Sequence, residues 1–149
     1  MKHLRKILYM AVAIASLASL ASCDIDSSPN GKLDGYWKMA SIDSIESGNI
    51  LNLDNELYFW AFQNKLLQLV DRGHKNATFL LRFEKSGKTL TVTDPYHHKS
   101  QLEDVPVEDP STMKAYGIKH AEEDFTIKKL SNSTLILENE EIRINFKRY

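Results

Sequence analysis

From Gly35 to Lys147 nearly every run of this chain alternates apolar and polar side chains with a period of two. That rhythm belongs to strands with one face buried and one wet, and it leaves few folds open. Trp37 and Met39 share a face within Gly35 to Ile42. Leu57 to Gln63 sets Tyr58, Trp60 and Phe62 opposite Leu57, Phe59 and Ala61, and Leu66 to Val70 follows at once. Phe79, Leu81 and Phe83 line one side of Thr78 to Glu84. Ser86-Gly87 then turns the chain into Thr89 to Thr93, where Leu90 and Val92 oppose three threonines. Phe125 and Ile127 come next, and after Ser131-Asn132-Ser133 comes Thr134 to Glu138 with Leu135 and Leu137. Asn139-Glu140 reads as a two-residue turn into Ile142, Ile144 and Phe146. Short strands joined by tight turns predict an all-β antiparallel meander of about eight strands. A sheet of that size curls, and closing it removes the exposed edges that invite aggregation.

One stretch interrupts the rhythm. Pro95 to Glu123 holds histidines, several prolines and the acidic run Glu103 to Asp109. Its histidines number three, the adjacent pair His97-His98 and the later His120, and within it Asp109 as N-cap, Pro110 as the first helical residue and Gly117 as the stop predict one short helix over Ser111 to Tyr116. A connection this long is usually functional or mobile. It reads either as a lid across a barrel mouth or as a surface excursion.

The N-terminus fixes the setting. Met1 to Lys6 is basic, Ile7 to Ser22 is free of charge, and small residues lead to Cys23, the sole cysteine. These are the parts of a secretory signal over residues 1–22, and the apolar run falls short of the about 20 residues a spanning helix needs. Leu20-Ala21-Ser22-Cys23 resembles the lipobox of bacterial lipoproteins. The resemblance implies cleavage before Cys23, diacylation of its thiol and acylation, as by palmitate, of the new amine. Asp24 to Lys32 completes a polar, turn-rich tether over residues 23–32. Asp24 and Asp26 resemble a surface-export signal of some Gram-negative lipoproteins; the plain alternative is a solvated linker. The expected location is the bacterial cell envelope, at the outer membrane or cell surface.

Loss of residues 1–22 removes Lys2, Arg5 and Lys6 and no acid, leaving four more carboxylates than cations. That balance argues against nucleic acid, whose phosphates demand the opposite. With Cys23 acylated no disulfide can form, so residues 33–149 must be held by packing, for which their number suffices.

Gly35-Tyr36-Trp37-Lys38 resembles the G-x-W signature opening the first strand of lipocalins and fatty-acid-binding barrels. There the tryptophan closes one barrel end beside a basic residue of a late strand, a part open here to Arg143 or Arg148. Lipobox, tether, G-x-W, meander and the runs Tyr116-Gly117-Ile118, Phe125-Thr126-Ile127 and Leu135-Ile136-Leu137 together resemble the lipocalin-like domains of bacterial lipoproteins. Thr93-Asp94-Pro95-Tyr96 is a loose echo of the family's T-D-Y turn. The implied fold is a lipocalin-like barrel.

The residues expected inside that barrel are Trp37, Met39, Tyr58, Trp60, Phe62, Phe79, Leu81, Phe83, Ile142, Ile144 and Phe146. They line a ligand cavity or, equally simply, fill it, because large rings are the easiest way to pack a small barrel. The apolar outer side of the Leu57 to Phe62 strand would meet the 95–123 excursion or a partner. No metal site is expected: His97 and His98 point to opposite faces of a strand, and His74 and His120 lack zinc-ligand spacing. The carboxylates Glu103, Asp104, Glu108, Asp109, Glu122, Glu123 and Asp124 cluster in loops, and no hydrolase or phosphate-binding motif occurs, so neither catalysis nor a cofactor is expected. Asn76-Ala77-Thr78 and Asn132-Ser133-Thr134 read as a loop and a turn. The leading expectation is a lipid-anchored lipocalin-like barrel binding a small apolar or amphipathic ligand. The alternative is a filled barrel that docks another envelope protein.

Overall fold

A computed structural model describes residues 28–99 and 101–149; the signal segment, Cys23 and the tether through Ser27 lie outside the described residues. Ten strands follow the alternation: β1 Gly35–Ser44, β2 Ile50–Asn52, β3 Tyr58–Gln63, β4 Leu66–Asp71, β5 Phe79–Ser86, β6 Thr89–His97, β7 Val105–Pro106, β8 Glu123–Leu130, β9 Thr134–Glu138 and β10 Ile142–Arg148. All pairings are antiparallel, and β10 returns to β1 from Trp37↔Arg148 through Ser44↔Ile142. Eight strands, β1, β3 to β6 and β8 to β10, thereby close a barrel, while β2 and β7 extend β1 and β6.

The inward positions are those that the alternation marks. Trp37, Met39, Trp60, Phe62, Phe79, Leu81, Phe83, Ile144 and Phe146 are all buried in one core. Tyr58 and Ile142 sit at the rim, half-buried against that core rather than within it. Both stand at the first residue of their strands, where the barrel wall ends.

Four details depart from the sequence reading. The strands Ile50–Asn52 and Val105–Pro106 have every residue exposed, so they lack the one-sided burial that marks a strand in sequence. Strand β6 runs past Pro95 to His97 instead of stopping at Thr93. Asp94 and Pro95 form a bulge there, with Asp94 at φ 51° and the register shifting between Leu80 and Arg82. A bulge tolerates proline because it forgoes a ladder hydrogen bond. The turn after β5 is Gly87-Lys88, one residue later than expected. The β9–β10 connection has three residues, Asn139 to Glu141, because Asn139 Oδ1 accepts from the Glu141 and Ile142 amides at 3.0 and 2.9 Å.

The short helix forms where its caps predict, as a 3-10 helix over Pro110–Tyr116. The Asp109 carboxylate accepts from the Ser111 amide, and Gly117 ends the helix at φ +81°. Ser111, through its side chain first and its amide second, holds the Asp109 carboxyl below the usual carboxylate range.

Candidate functional site

The barrel has two ends, each stoppered differently. The end where the chain enters, called the base here, carries the turns at 64–65, 87–88 and 131–133. A 3-10 turn, Gly31–Leu33, tucks the fully buried Leu33 under it. Trp37 Nε1–H donates to the Leu33 carbonyl at 2.8 Å. The Arg148 guanidinium covers the Trp37 ring, 4.0 Å from its centroid, and donates to the Asp34, Lys32 and Asn132 carbonyls. A buried tryptophan thus has its N–H satisfied and its face taken by a cation. Gly35 explains the first letter of the motif: it sits at φ +113°, and a Cβ there would stand 2.7 Å from Arg148 Nη1. Of the two candidate cations the basic partner is Arg148; Arg143 lies outside, bridging to Glu138 at 2.6 Å.

The opposite mouth is closed by a piece of connecting chain. Met113 and Tyr116 from the 3-10 helix, with Ile118 just beyond it, enter the core with no exposed surface. The Tyr116 carbonyl accepts from Trp60 Nε1 at 3.2 Å, and its hydroxyl donates to the Ala77 carbonyl at 2.8 Å. Its ring packs on Tyr58 and Phe79 at 5.8 and 6.0 Å. Burial, and secondarily the nearby Asp71 and Tyr58, drive its ionisation far above the ordinary tyrosine range. The loop receiving that hydroxyl is organised by Asp71, 2 % exposed, whose carboxylate accepts from the Gly73, Lys75 and Asn76 amides and from Asn76 Nδ2. Burial alone would raise the Asp71 pKa, but those hydrogen bonds outweigh it and hold the carboxyl below its usual range. The Met113–Ile118 part of the excursion is therefore a stopper in the barrel mouth, whereas 101–106 runs exposed along the surface.

Between the stoppers the interior is aromatic and full. Trp60 meets Phe146, Phe125 and Phe62 at 5.3, 5.8 and 6.1 Å, and Phe62 meets Phe83 edge-on at 5.0 Å. The candidate cavity residues are thus brought together, but as a packed core, with one ring occupying the space beside the next.

The outside of the sheet holds what alternation hides. Phe59 faces outward yet is fully buried. Tyr149 packs edge-on against it at 4.9 Å, and the Arg72 guanidinium lies within 5.4 Å of the Tyr36, Phe59 and Tyr149 ring centroids. The C-terminal residue and Arg72 cover this strand, not the 95–123 segment. Beside that cluster Tyr36, Ala61, Gln68, Leu80, Tyr96 and Pro106 form one row across β1, β3, β4, β5, β6 and β7. Two adjoining depressions of about 500 and 240 Å³ share Leu66 and Leu80 as their common floor. Asp34 borders the first, and Asp94, Asp104 and Arg82 border the second.

The remaining candidates have local partners. His98 Nδ1 lies 3.0 Å from Asp104, and the His97 ring packs on Phe79 at 5.0 Å. Among the described residues no group of three His, Cys, Asp or Glu is placed to hold a metal ion. Glu123 departs from its expected place in an exposed loop. It is buried, accepts from the Lys119 and His120 amides at 2.8 and 3.0 Å, and borders a depression of about 250 Å³. Its place at the first residue of β8, in phase with Phe125 and Ile127, is the signal that could have shown this.

The comparisons agree with this geometry. The Lipocalin-like domain family matches residues 18–149. A lipocalin-like protein from Bacteroides uniformis ATCC 8492 superposes with a TM-score of 0.61 at 20% identity, over 80% of this chain and 100% of that one. An uncharacterized protein from Bacteroides eggerthii DSM 20697 gives 0.53 at 15% identity, over 78% and 98%. Among curated proteins none matches. A closed eight-stranded barrel with a tryptophan–arginine base, matched over nearly its whole length, belongs to the lipocalin-like domain family.

Proposed function

We propose that this is a non-enzymatic envelope lipoprotein, held in its membrane through acylated Cys23, whose barrel works through its outer surface by docking another envelope protein. The observation that carries this reading is the packed interior: rings and the Tyr116 stopper occupy the space a lipocalin-like barrel could offer a ligand. The outer groove over Leu66 and Leu80, with Tyr36 and Tyr96 both more than a third exposed, offers apolar surface instead. Its borders, Asp34 at one end and Asp94 and Asp104 beside Arg82 at the other, carry more carboxylates than cations and suit an apolar segment flanked by basic residues. Several carboxylates already serve structure: Asp71 in its loop, Asp109 as a cap, Glu138 and Glu141 in ion pairs.

Native mass spectrometry of the protein from its host tests this. A co-purifying protein that is lost from the Leu66→Asp and Leu80→Asp variants, with melting unchanged, supports docking. A bound small apolar molecule on the unaltered protein overturns it. The same spectra report the N-terminus, where an unmodified Cys23 removes the anchor.

A second reading rests on the stopper itself. The mouth is filled by a connecting segment, not by strand residues, so lifting Met113 and Tyr116 would expose Tyr58, Trp60 and Phe79 to an apolar ligand. Ligand found only together with increased protease cleavage near Pro110–Tyr116 would favour it.

A further inference from the structure

The charges of this barrel are sorted by end. Around the base stand Lys32, Lys65, Arg82, Lys85, Lys88 and Lys129, all exposed. Among the described residues none of the six makes an ion pair; at the opposite mouth Lys75 and Lys119 are bridged to Glu56 and Glu141, while Lys99 and Lys114 are not bridged. The opposite mouth instead collects acids, including Glu103, Asp104, Glu122, Asp124, Glu140 and Glu141. Among the described residues the opposing carboxylates at the base are Asp34, which accepts from Asn30 Nδ2, and Glu84, while Arg82 also borders the wall depression that holds Asp94 and Asp104. The six cations, with Arg148, outnumber them.

Three of these cations share one depression. Lys65, Arg82 and Lys85, with Glu84, line a space of about 700 Å³ between the β5–β6 hairpin and Pro29-Asn30, where the chain leaves toward Cys23. Thr91 and Thr93, paired with Glu84 and Arg82, also line it, so the space opens on the outer face of the hairpin at the base end of the wall, where the hairpin runs past Leu66, the first residue of β4.

We propose that the base is a membrane-facing surface that takes the phosphates of anionic lipids, with the Lys65–Arg82–Lys85 depression as its main headgroup site. This rests on the anchoring reading for its geometry. Only Asp24 to Ser27 separate Cys23 from Ser28, a span of at most about 18 Å fully extended. An acyl group on Cys23 would therefore hold the base, and not the acidic mouth, against the bilayer. Attraction of lysines to an anionic surface is felt over about one Debye length, roughly 8 Å in physiological salt. A short tether keeps the base near that range. The acidic mouth would point away, toward partners.

The full chain in vesicles tests this, with a donor dye on Ser86→Cys at the base or on Ser47→Cys at the opposite mouth and an acceptor on the lipid headgroups. In vesicles containing phosphatidylglycerol, transfer from the base should exceed transfer from the mouth by at least about twofold. Lys65→Glu, Lys85→Glu and Lys88→Glu together should reduce it to the value in neutral phosphatidylcholine, as should high salt. The milder Lys→Gln triple serves if the charge reversal fails to fold. Transfer that ignores lipid charge and both triples overturns the proposal. So does release from the vesicles by a soluble anionic polysaccharide, which would assign the face to a sugar polymer. Mass spectrometry of the same sample separates the two ideas: lipidated Cys23 without charge-dependent approach leaves the anchor and removes the phosphate site. Charge-dependent approach with Cys23 unmodified supports the site and removes the anchor.

Discussion

The base and the mouth of this barrel solve the same problem with different materials. At the base every closing group belongs to a strand or to the turn leading into it. Trp37 and Arg148 face each other across the β1–β10 seam, and Leu33 lies four residues before Trp37. At the mouth the closing groups come from far along the chain: Tyr116 answers Trp60, 56 residues away, and Ala77, 39 away. The base cannot open without breaking the seam that closes the sheet. Opening the mouth would require only the short 3-10 helix and Ile118 beyond it to move. A stopper made of wall is part of the fold, whereas a stopper made of connecting chain is a separable unit with its own smaller stability.

The largest effect should therefore come from the base. Trp37→Ala removes a fully buried indole and is expected to cost about 3–5 kcal/mol in urea unfolding. A loss below about 1 kcal/mol would mean the base is not part of the cooperative unit. Next comes Asp71→Asn, which presents an amide to backbone donors that a carboxylate now satisfies, at about 1–3 kcal/mol. Its pH dependence has a definite sign. The folded pKa lies below the unfolded one, so an ionised Asp71 stabilises above the ordinary carboxylate value of about 4. That contribution disappears as pH falls through the folded value. Melting temperature of the parent protein should drop in that acidic window, and the variant should drop less.

Gly117→Ala comes third, at about 1–2 kcal/mol. The residue holds φ +81°, and a new Cβ would stand 2.6 Å from Ile144 Cδ1, so both backbone and neighbour must yield. Because Ile144 belongs to the wall and Gly117 to the stopper, this variant probes their joint. Differential scanning calorimetry should show one lowered transition if they unfold together, and a broadened or split one if the stopper releases first.

What the sequence disclosed follows the same division. Period two marked the wall because alternating burial leaves a mark in each strand, and Trp37, Met39, Ile144 and Phe146 stand inside accordingly. The cap residues Asp109, Pro110 and Gly117 marked the helix, since capping is local. Where that helix goes was not legible. The partners of Tyr116 lie at Trp60 and Ala77, and no local pattern encodes such contacts. Phe59 was hidden for a related reason: its cover is Arg72, at the end of the neighbouring β4, and Tyr149, brought there by barrel closure. The fully exposed β2 and β7 carry no burial signal at all. Whether the interior was hollow or full was equally out of reach, because an inward aromatic looks the same in sequence whichever it does.

Tyr116→Phe is the smallest change and the sharpest test of the contrast. It keeps the ring among Tyr58 and Phe79 but leaves the Ala77 carbonyl without its donor, at a cost of about 1 kcal/mol. If the stopper is a separable unit, that loss should be spent on local opening. Hydrogen exchange at the Thr112 and Gly117 amides, which bond within the 3-10 segment, should then quicken about five- to tenfold. Amides of the β1–β10 seam, such as those near Trp37 and Arg148, should keep their rates. Equal acceleration at both ends would instead make the mouth as integral as the base. A ligand could then reach the interior only through global unfolding, and the second reading of this barrel would be lost with it.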